Sequence, residues 1–165
     1  GLTATPLQLA RAYAVFANDG VRPEVSLLHR PALAGEGVRV ISPETARTVR
    51  QVLEAVTGEH GTARKARVPG YAVGGKTGTV HKVGPGGYLE DQYIALFAGL
   101  APVDDPRFVT VVVLDRPKGD AYGGGAAAAP VFARVARETL RLLGVVPELE
   151  APAAELVAAA PGDDA

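Results

Sequence analysis

The feature that most constrains the fold of this 165-residue sequence is a series of three strand-like segments joined by very short connections. They are GGKTGTVHKV, YIALFAGL (Tyr93–Leu100) and FVTVVVLD (Phe108–Asp115), and the last is rich in β-branched residues. A glycine-rich turn, GPGGY, follows the first segment, and a loop with Pro and Asp, APVDDPR, precedes the third. Parallel strands need a crossover of about a dozen or more residues, usually a helix. The spacing therefore predicts antiparallel strands.

Three helix-like segments accompany these strands. In the first, Thr5 is expected to be the N-cap, Pro6 the first helical residue and Gln8 the partner in a capping box. The second begins in the same way, with Ser42 as cap and Pro43 after it. Two short β pieces are expected between these helices. The last helix lies within AAAAPVFARVARETLRLLG, and its expected inner residues are Val131, Phe132, Val135 and Leu142.

Composition restricts the possible functions. The chain is 47% hydrophobic, which is enough for one domain with a core, and its formal net charge is −1. Because there is no basic stripe, nucleic acid is not expected as a partner. Cysteine is absent, so neither disulfides nor thiol chemistry can occur. His29 and His60 lie in polar, loop-like contexts without the spacing of a metal site, and no metal or other cofactor is expected.

The absence of methionine, even at position 1, suggests a piece of a longer chain whose targeting segment lies upstream. No run approaches the roughly 18 apolar residues of a membrane span. From Pro147 onward the chain consists mainly of Pro, Ala, Glu and Asp. Such a composition buries little apolar surface, so residues 147–165 are expected to form a disordered tail after a domain comprising residues 1–146.

One motif has two interpretations. GYAVGGKT (Gly70 to Thr77) fits the phosphate-loop pattern G-x-x-x-x-G-K-[ST]. That loop requires an apolar strand before its glycines and a helix that begins at its lysine, so that the helix N-terminus faces the phosphates. Here ARKARVP precedes Gly70, and TGTVHKVGPGG, which opposes helix, follows Lys76. A nucleotide-binding module is therefore disfavoured.

The second interpretation takes the same residues as an extended strand. Lys76, Gly78 and Val80 would then face one side, and Thr77 and Thr79 the other. A lysine among glycines and threonines on an edge strand can cradle a carboxylate or an acyl group, and outward N–H groups can serve as oxyanion donors. K-T-G is also the third signature of penicillin-binding enzymes and serine β-lactamases.

The longer run GYAVGGKTGTVHKVGPGGYLEDQYIALFAGLAPVDDPRFVTVVVLDRP resembles the corresponding part of class B penicillin-binding proteins, above all the division-type peptidoglycan transpeptidases. GLTATPLQLARAYAVFANDG and AYGGGAAAAPVFARVARETLRLLG resemble the helices that flank it there. The resemblance implies an α+β fold in which helices pack on an antiparallel sheet. It also implies that residues 1–146 form the C-terminal part of a transpeptidase domain.

The resemblance also implies roles for individual residues. Lys76 would be the K-T-G lysine, which supports proton transfer and anion binding. Thr77 and Thr79 would bind the carboxylate of a D-Ala-D-Ala stem peptide or of a β-lactam, and the Thr79 N–H would be an oxyanion donor. Gly78 would allow close approach of the substrate. The far wall of the cleft would be lined by Tyr122, Gly123 and Gly124.

The family's other two motifs are missing. Ser26 begins SLLH and Ser42 begins SPET, so neither supplies S-x-x-K or S-x-N, and the one asparagine is Asn18. The nucleophile is therefore expected upstream of Gly1, and this chain alone is expected to be inactive. Alternatives are a non-catalytic remnant that binds cell-wall peptides or β-lactams and, less favoured, a threonine nucleophile. His81 either touches substrate or, as preferred, is merely solvated.

By the same resemblance, the partners of the parent protein would be stem peptides, β-lactams and other cell-division or cell-wall synthesis proteins. Its membrane contact would run only through an N-terminal anchor that this sequence lacks. The parent would then work on the periplasmic face of the bacterial inner membrane.

Overall fold

The computed structural model describes residues 3–28, 37–119 and 122–147. Three α-helices and five strands make up most of this part, with one 3₁₀ turn (Arg64–Ala66) and one π-helical segment (Gly124–Ala128). In chain order the elements are α1 (Pro6–Ala17), β1 (Val21–Pro23), β2 (Gly37–Arg39), α2 (Pro43–Ala55), β3 (Gly74–Gly84), β4 (Gly87–Ala101), β5 (Phe108–Asp115) and α3 (Ala129–Leu142).

Both predicted helix starts are confirmed. The Thr5 hydroxyl accepts from the Gln8 N–H, and the Gln8 side chain accepts from the Thr5 N–H, which completes the capping box. Ser42 caps α2 by accepting from the Thr45 N–H at 3.2 Å. Each cap satisfies N–H groups that have no partner within the helix, so the two boundaries follow from local chemistry.

The three strand-like segments form one antiparallel sheet of order β3-β4-β5, as their spacing predicts. β4 begins at Gly87, earlier than the apolar pattern indicated, because the hairpin continues beyond a register shift between His81 and Val83. Gly86 and Gly87 close this hairpin with φ angles of 99° and 133°, which favour glycine. The separate strands β1 and β2 form a small antiparallel pair.

The core lies between the sheet and α3. The Phe97 ring from β4 and the Phe132 ring from α3 are fully buried, with centroids 4.7 Å apart. The buried residues of α3 are Ala129, Phe132, Ala136 and Leu140. The prediction that Val135 and Leu142 lie on the inner side of the helix is wrong, because these residues are 41% and 76% exposed. The buried stripe follows steps of three and four residues and includes two small alanines, which a count of large apolar residues overlooks.

One predicted segment falls outside the described residues. Apart from Pro147, the expected tail 147–165 belongs to the part that the structure does not describe, as does His29. Among the described helices, none has the length and apolar character needed to cross a membrane.

Candidate functional site

The KTGT motif lies on the edge strand of the three-stranded sheet. β3 pairs with β4 along one side, where Lys76 is opposite Ala98 and Thr79 is opposite Ala95. Within the described residues no strand pairs with the other side of β3. An unpaired edge offers backbone N–H and C=O groups to an extended ligand.

Close packing requires a glycine at position 75, immediately before the lysine. A Cβ on Gly75 would lie 2.5 Å from the Phe97 ring and 2.6 Å from the Ala98 carbonyl oxygen. The absence of a side chain therefore lets the Phe97 ring pack closely against β3 and leaves room for the pairing of β3 with β4. This contact anchors β3 immediately before the exposed Lys76.

The Lys76 ammonium folds back along its own strand. Nζ donates to the Thr77 carbonyl oxygen at 3.0 Å and to Thr77 Oγ1 at 3.3 Å. An ammonium has three N–H donors, so one remains for a ligand. The two bonds hold a positive charge beside a hydroxyl at the open edge of the sheet, which suits an anionic ligand.

The two threonine hydroxyls lie on one face of β3 but have different partners. Thr77 Oγ1 is 3.5 Å from Thr62 Oγ1 and also accepts a hydrogen bond from Lys76 Nζ. Thr79 Oγ1 accepts from the Gly124 N–H at 3.0 Å. A hydroxyl carries a single proton, and the Gly124 bond uses only a lone pair of Thr79. The Thr79 O–H is thus available to donate to a ligand.

Two of the glycines predicted to contact ligand are also needed for internal packing. A Cβ on Gly78 would lie 2.8 Å from Leu96 Cγ. Gly124 is buried, and a Cβ there would collide with the Leu96 carbonyl oxygen and lie 2.6 Å from the Gly78 carbonyl oxygen. The π-helical segment thus rests directly on the backbone of β3 and β4. Sequence reasoning missed this role because it depends on how the two elements meet.

Gly123 differs from its neighbour. A Cβ at this position would meet only Thr79 Oγ1, at an ordinary 3.7 Å. Gly123 therefore borders the open space beside Thr79, whereas Gly124 is enclosed. The structure brings Thr79 together with Gly123 and Gly124.

Tyr122 begins this glycine segment and belongs to a group of aromatic rings. Its ring stacks on Tyr93 with centroids 4.2 Å apart and an interplanar angle of 17°. His81 packs on the same Tyr93 at 4.5 Å. The pKa of the Tyr93 phenol is raised, first by desolvation and then by the neighbouring Tyr122. His81 was expected to be merely solvated; it is exposed, but its ring has aromatic partners that its own segment does not predict.

A surface cavity of about 900 Å³ adjoins the two tyrosines, and Arg116 and Lys118 also line it. On its rim, Lys82 Nζ binds both carboxylate oxygens of Asp115, at 2.6 and 2.7 Å. The Lys82 hydrogen bond holds the pKa of the Asp115 carboxyl below its usual range, with smaller contributions from the charges of Lys82 and Arg116. The described part of the chain contains no cluster of three His, Cys, Asp or Glu side chains suited to a metal ion.

The fold that carries this site is similar to that of solved structures and of a known domain family. The apo transpeptidase domain of Burkholderia pseudomallei penicillin-binding protein 3 superposes with a TM-score of 0.82 at 42% identity, over 90% of this chain and 45% of that one. The family described as penicillin binding protein transpeptidase domain matches residues 1–137. The chain therefore belongs to the penicillin-binding protein transpeptidase family, and its relatives identify it as a class B member.

Two of the three relatives described here carry the name of a peptidoglycan D,D-transpeptidase. The probable peptidoglycan D,D-transpeptidase PenA of Neisseria flavescens is 42% identical over 89% of this chain. The peptidoglycan D,D-transpeptidase FtsI of Escherichia coli K12 is 42% identical over 90%, and stage V sporulation protein D of Bacillus subtilis is 40% identical over 89%. The chain spans 36%, 25% and 24% of these three proteins, respectively. The α+β fold is confirmed by both the sheet and these neighbours.

Proposed function

We propose that this chain supplies the KTGT strand of a peptidoglycan D,D-transpeptidase that cross-links stem peptides during septal cell-wall synthesis. The observation that carries the proposal is the arrangement on β3: a lysine ammonium with an unused N–H, two threonine hydroxyls and a strand edge with which no described strand pairs. These groups together can receive an extended peptide that ends in a carboxylate.

Each group has a task in this proposal. The Lys76 ammonium attracts the terminal carboxylate of a D-Ala-D-Ala peptide, or the carboxylate of a β-lactam, and assists proton transfer. Thr77 and Thr79 donate hydrogen bonds to the same carboxylate, and the Thr79 N–H is one oxyanion donor for the scissile carbonyl. Gly78 keeps this part of the strand free of a bulky side chain. Tyr122, Gly123 and Gly124 form the opposite wall of the cleft.

The covalent step belongs to residues outside this chain. Acyl transfer needs an activated nucleophile with a base within hydrogen-bond reach. This sequence has neither S-x-x-K nor S-x-N, and a threonine nucleophile beside Lys76 would lack a dedicated base. The proposal therefore assigns residues 1–146 to the C-terminal part of the domain. It also places the parent protein at the periplasmic face of the inner membrane, with other division proteins as partners.

Labelling with a fluorescent penicillin tests the proposal. The complete transpeptidase protein that contains this chain should form a covalent adduct that survives denaturation, and the chain alone should form none. An adduct on the chain alone would refute the assignment of the nucleophile to another part. A folded complete protein that resists labelling would refute the function itself.

A non-catalytic remnant that binds cell-wall peptides is the alternative favoured by the sequence, because the anion-binding groups are present without a nucleophile. It predicts reversible binding of a D-Ala-D-Ala peptide to the complete protein with no acylation by penicillin. A phosphate-loop module has little support, since Lys76 lies inside an 11-residue strand, whereas that loop needs a helix at its lysine. Tight binding of ATP would revive it.

A further inference from the structure

Three aromatic rings next to the KTGT motif form a connected row, which we call the aromatic ladder: His81 on β3, Tyr93 on β4 and Tyr122 before the π-helical segment. His81 is the cross-strand partner of Tyr93, and their ring centroids are 4.5 Å apart. Tyr93 in turn stacks on Tyr122 at 4.2 Å. The ladder therefore links the hairpin to the segment that lies over it.

The ladder and one hydrogen bond hold the same short stretch of backbone. Tyr122 is followed by Gly123 and Gly124, and the Gly124 N–H donates to Thr79 Oγ1 at 3.0 Å. His81 is two residues beyond Thr79 on the same strand and so lies on the same face. The stretch is thus held at Tyr122 by ring packing and at Gly124 by the threonine hydroxyl together with close packing on the β3 and β4 backbone.

We propose that His81 is a positioning residue of the candidate site: through Tyr93 and Tyr122 it keeps the Gly124 N–H on Thr79, so that the threonine proton points to the ligand carboxylate. This inference rests on the proposed function. Without the His81 ring, Tyr93 loses one of its two packing partners in the ladder, and the stretch that carries Gly124 is held less firmly. The hydroxyl can then turn its proton toward other acceptors.

The role needs an aromatic ring and not a titrating group. His81 is exposed, and its Nδ1 lies 3.4 Å from the Leu89 carbonyl oxygen, at the limit of hydrogen-bond length. Its ring also meets Tyr88 edge-on at 6.3 Å, so the 4.5 Å packing against Tyr93 is the shorter of its two aromatic contacts. A phenylalanine offers a similar flat ring, whereas an alanine offers none. The His81→Phe variant should therefore restore the ring packing against Tyr93.

The experiment measures acylation of the complete transpeptidase protein by penicillin G and by its methyl ester, which lacks the carboxylate. His81→Ala should reduce the rate constant for penicillin G about two- to tenfold, the range expected for one aromatic contact. The rate constant for the ester should change much less. His81→Phe should restore the penicillin G rate, and His60→Ala, a change at an exposed histidine, should leave both rates unaltered.

Hydrogen–deuterium exchange of the same proteins supplies a readout that does not depend on activity. His81→Ala should accelerate exchange of the Gly124 amide, and His81→Phe should not. An unchanged exchange rate of the Gly124 amide in His81→Ala would overturn the inference. So would an equal fall in the acylation rate constants for penicillin G and its methyl ester, or a His81→Phe variant that does not recover the penicillin G rate constant. A wild-type protein that penicillin does not label would instead refute the proposed function, while the exchange result would still decide whether His81 positions Gly124.

Discussion

Replacing Gly124 by alanine should lower the stability of the domain and disturb the candidate site, because the structure leaves no room for the added Cβ. The added Cβ would collide with the Leu96 carbonyl oxygen and lie 2.6 Å from the Gly78 carbonyl oxygen. Both atoms belong to the backbone of paired strands, which cannot turn aside as a flexible side chain can. The π-helical segment has to lift by at least about 0.8 Å, which brings the second distance to 3.4 Å, the lower limit of ordinary contact; the closer Leu96 contact requires more.

That displacement has two costs. Overpacking a tight site typically costs about 1–3 kcal/mol. The bond from the Gly124 N–H to Thr79 Oγ1, now 3.0 Å, would also stretch beyond hydrogen-bond length, with a loss of about 0.5–1.5 kcal/mol. We expect the free energy of unfolding of the transpeptidase domain to fall by about 2–4 kcal/mol in urea denaturation. Acylation by penicillin should slow as well, because Thr79 loses its orientation.

Gly123→Ala is the matched control. The same methyl group one residue earlier would meet only Thr79 Oγ1, at 3.7 Å, and the backbone φ of −72° there suits alanine. Its unfolding free energy should stay within about 0.5 kcal/mol of the wild type, as for most uncrowded surface substitutions. Equal stability of the two variants would refute the argument that Gly124 is required by packing on the strand backbone.

Three further predictions concern other residues. Lys76→Ala should abolish penicillin labelling with little change in melting temperature, because the side chain is exposed; Lys82→Ala on the same strand should keep labelling. Arg50→Met should lower the unfolding free energy by about 1–3 kcal/mol, because it leaves the Phe16 carbonyl oxygen without its 2.7 Å donor. The Arg50 hydrogen bond is the main cause that lowers the pKa of Asp19, so the stabilisation is present above the unfolded pKa, about 3.9, and is lost as the pH falls through the folded value. Acid titration of stability should therefore be shallower in Arg50→Met, and an identical slope would contradict this assignment.

Much of the fold could be predicted because it depends on neighbouring residues. The side chains of Thr5 and Ser42 indicate helix starts because each accepts a hydrogen bond from the N–H group three residues further along the chain. The short connections around β4 left antiparallel pairing as the feasible arrangement. The extended state of Lys76 follows in the same way, since glycine and β-branched residues after it oppose a helix.

Other features could not be predicted because they join residues far apart in the sequence. The buried side chain of Arg50 binds Asp19, which is 31 residues away, and nothing in the sequence near α2 indicates this ion pair. The exposed positions Val135 and Leu142 of α3 were expected inside. In both helices the buried face depends on which side chains the neighbouring element places against it.

The sequence by itself determined the helix starts, the antiparallel sheet and the strand on which KTGT lies, because caps, turns and strand propensities act over a few residues. Only the tertiary structure decided what surrounds that motif. Gly124 reaches Thr79 across 45 residues, and His81 meets Tyr93 through the hairpin register. These contacts require the spacing between packed elements to be right within about a few tenths of an ångström, and no local pattern encodes that spacing.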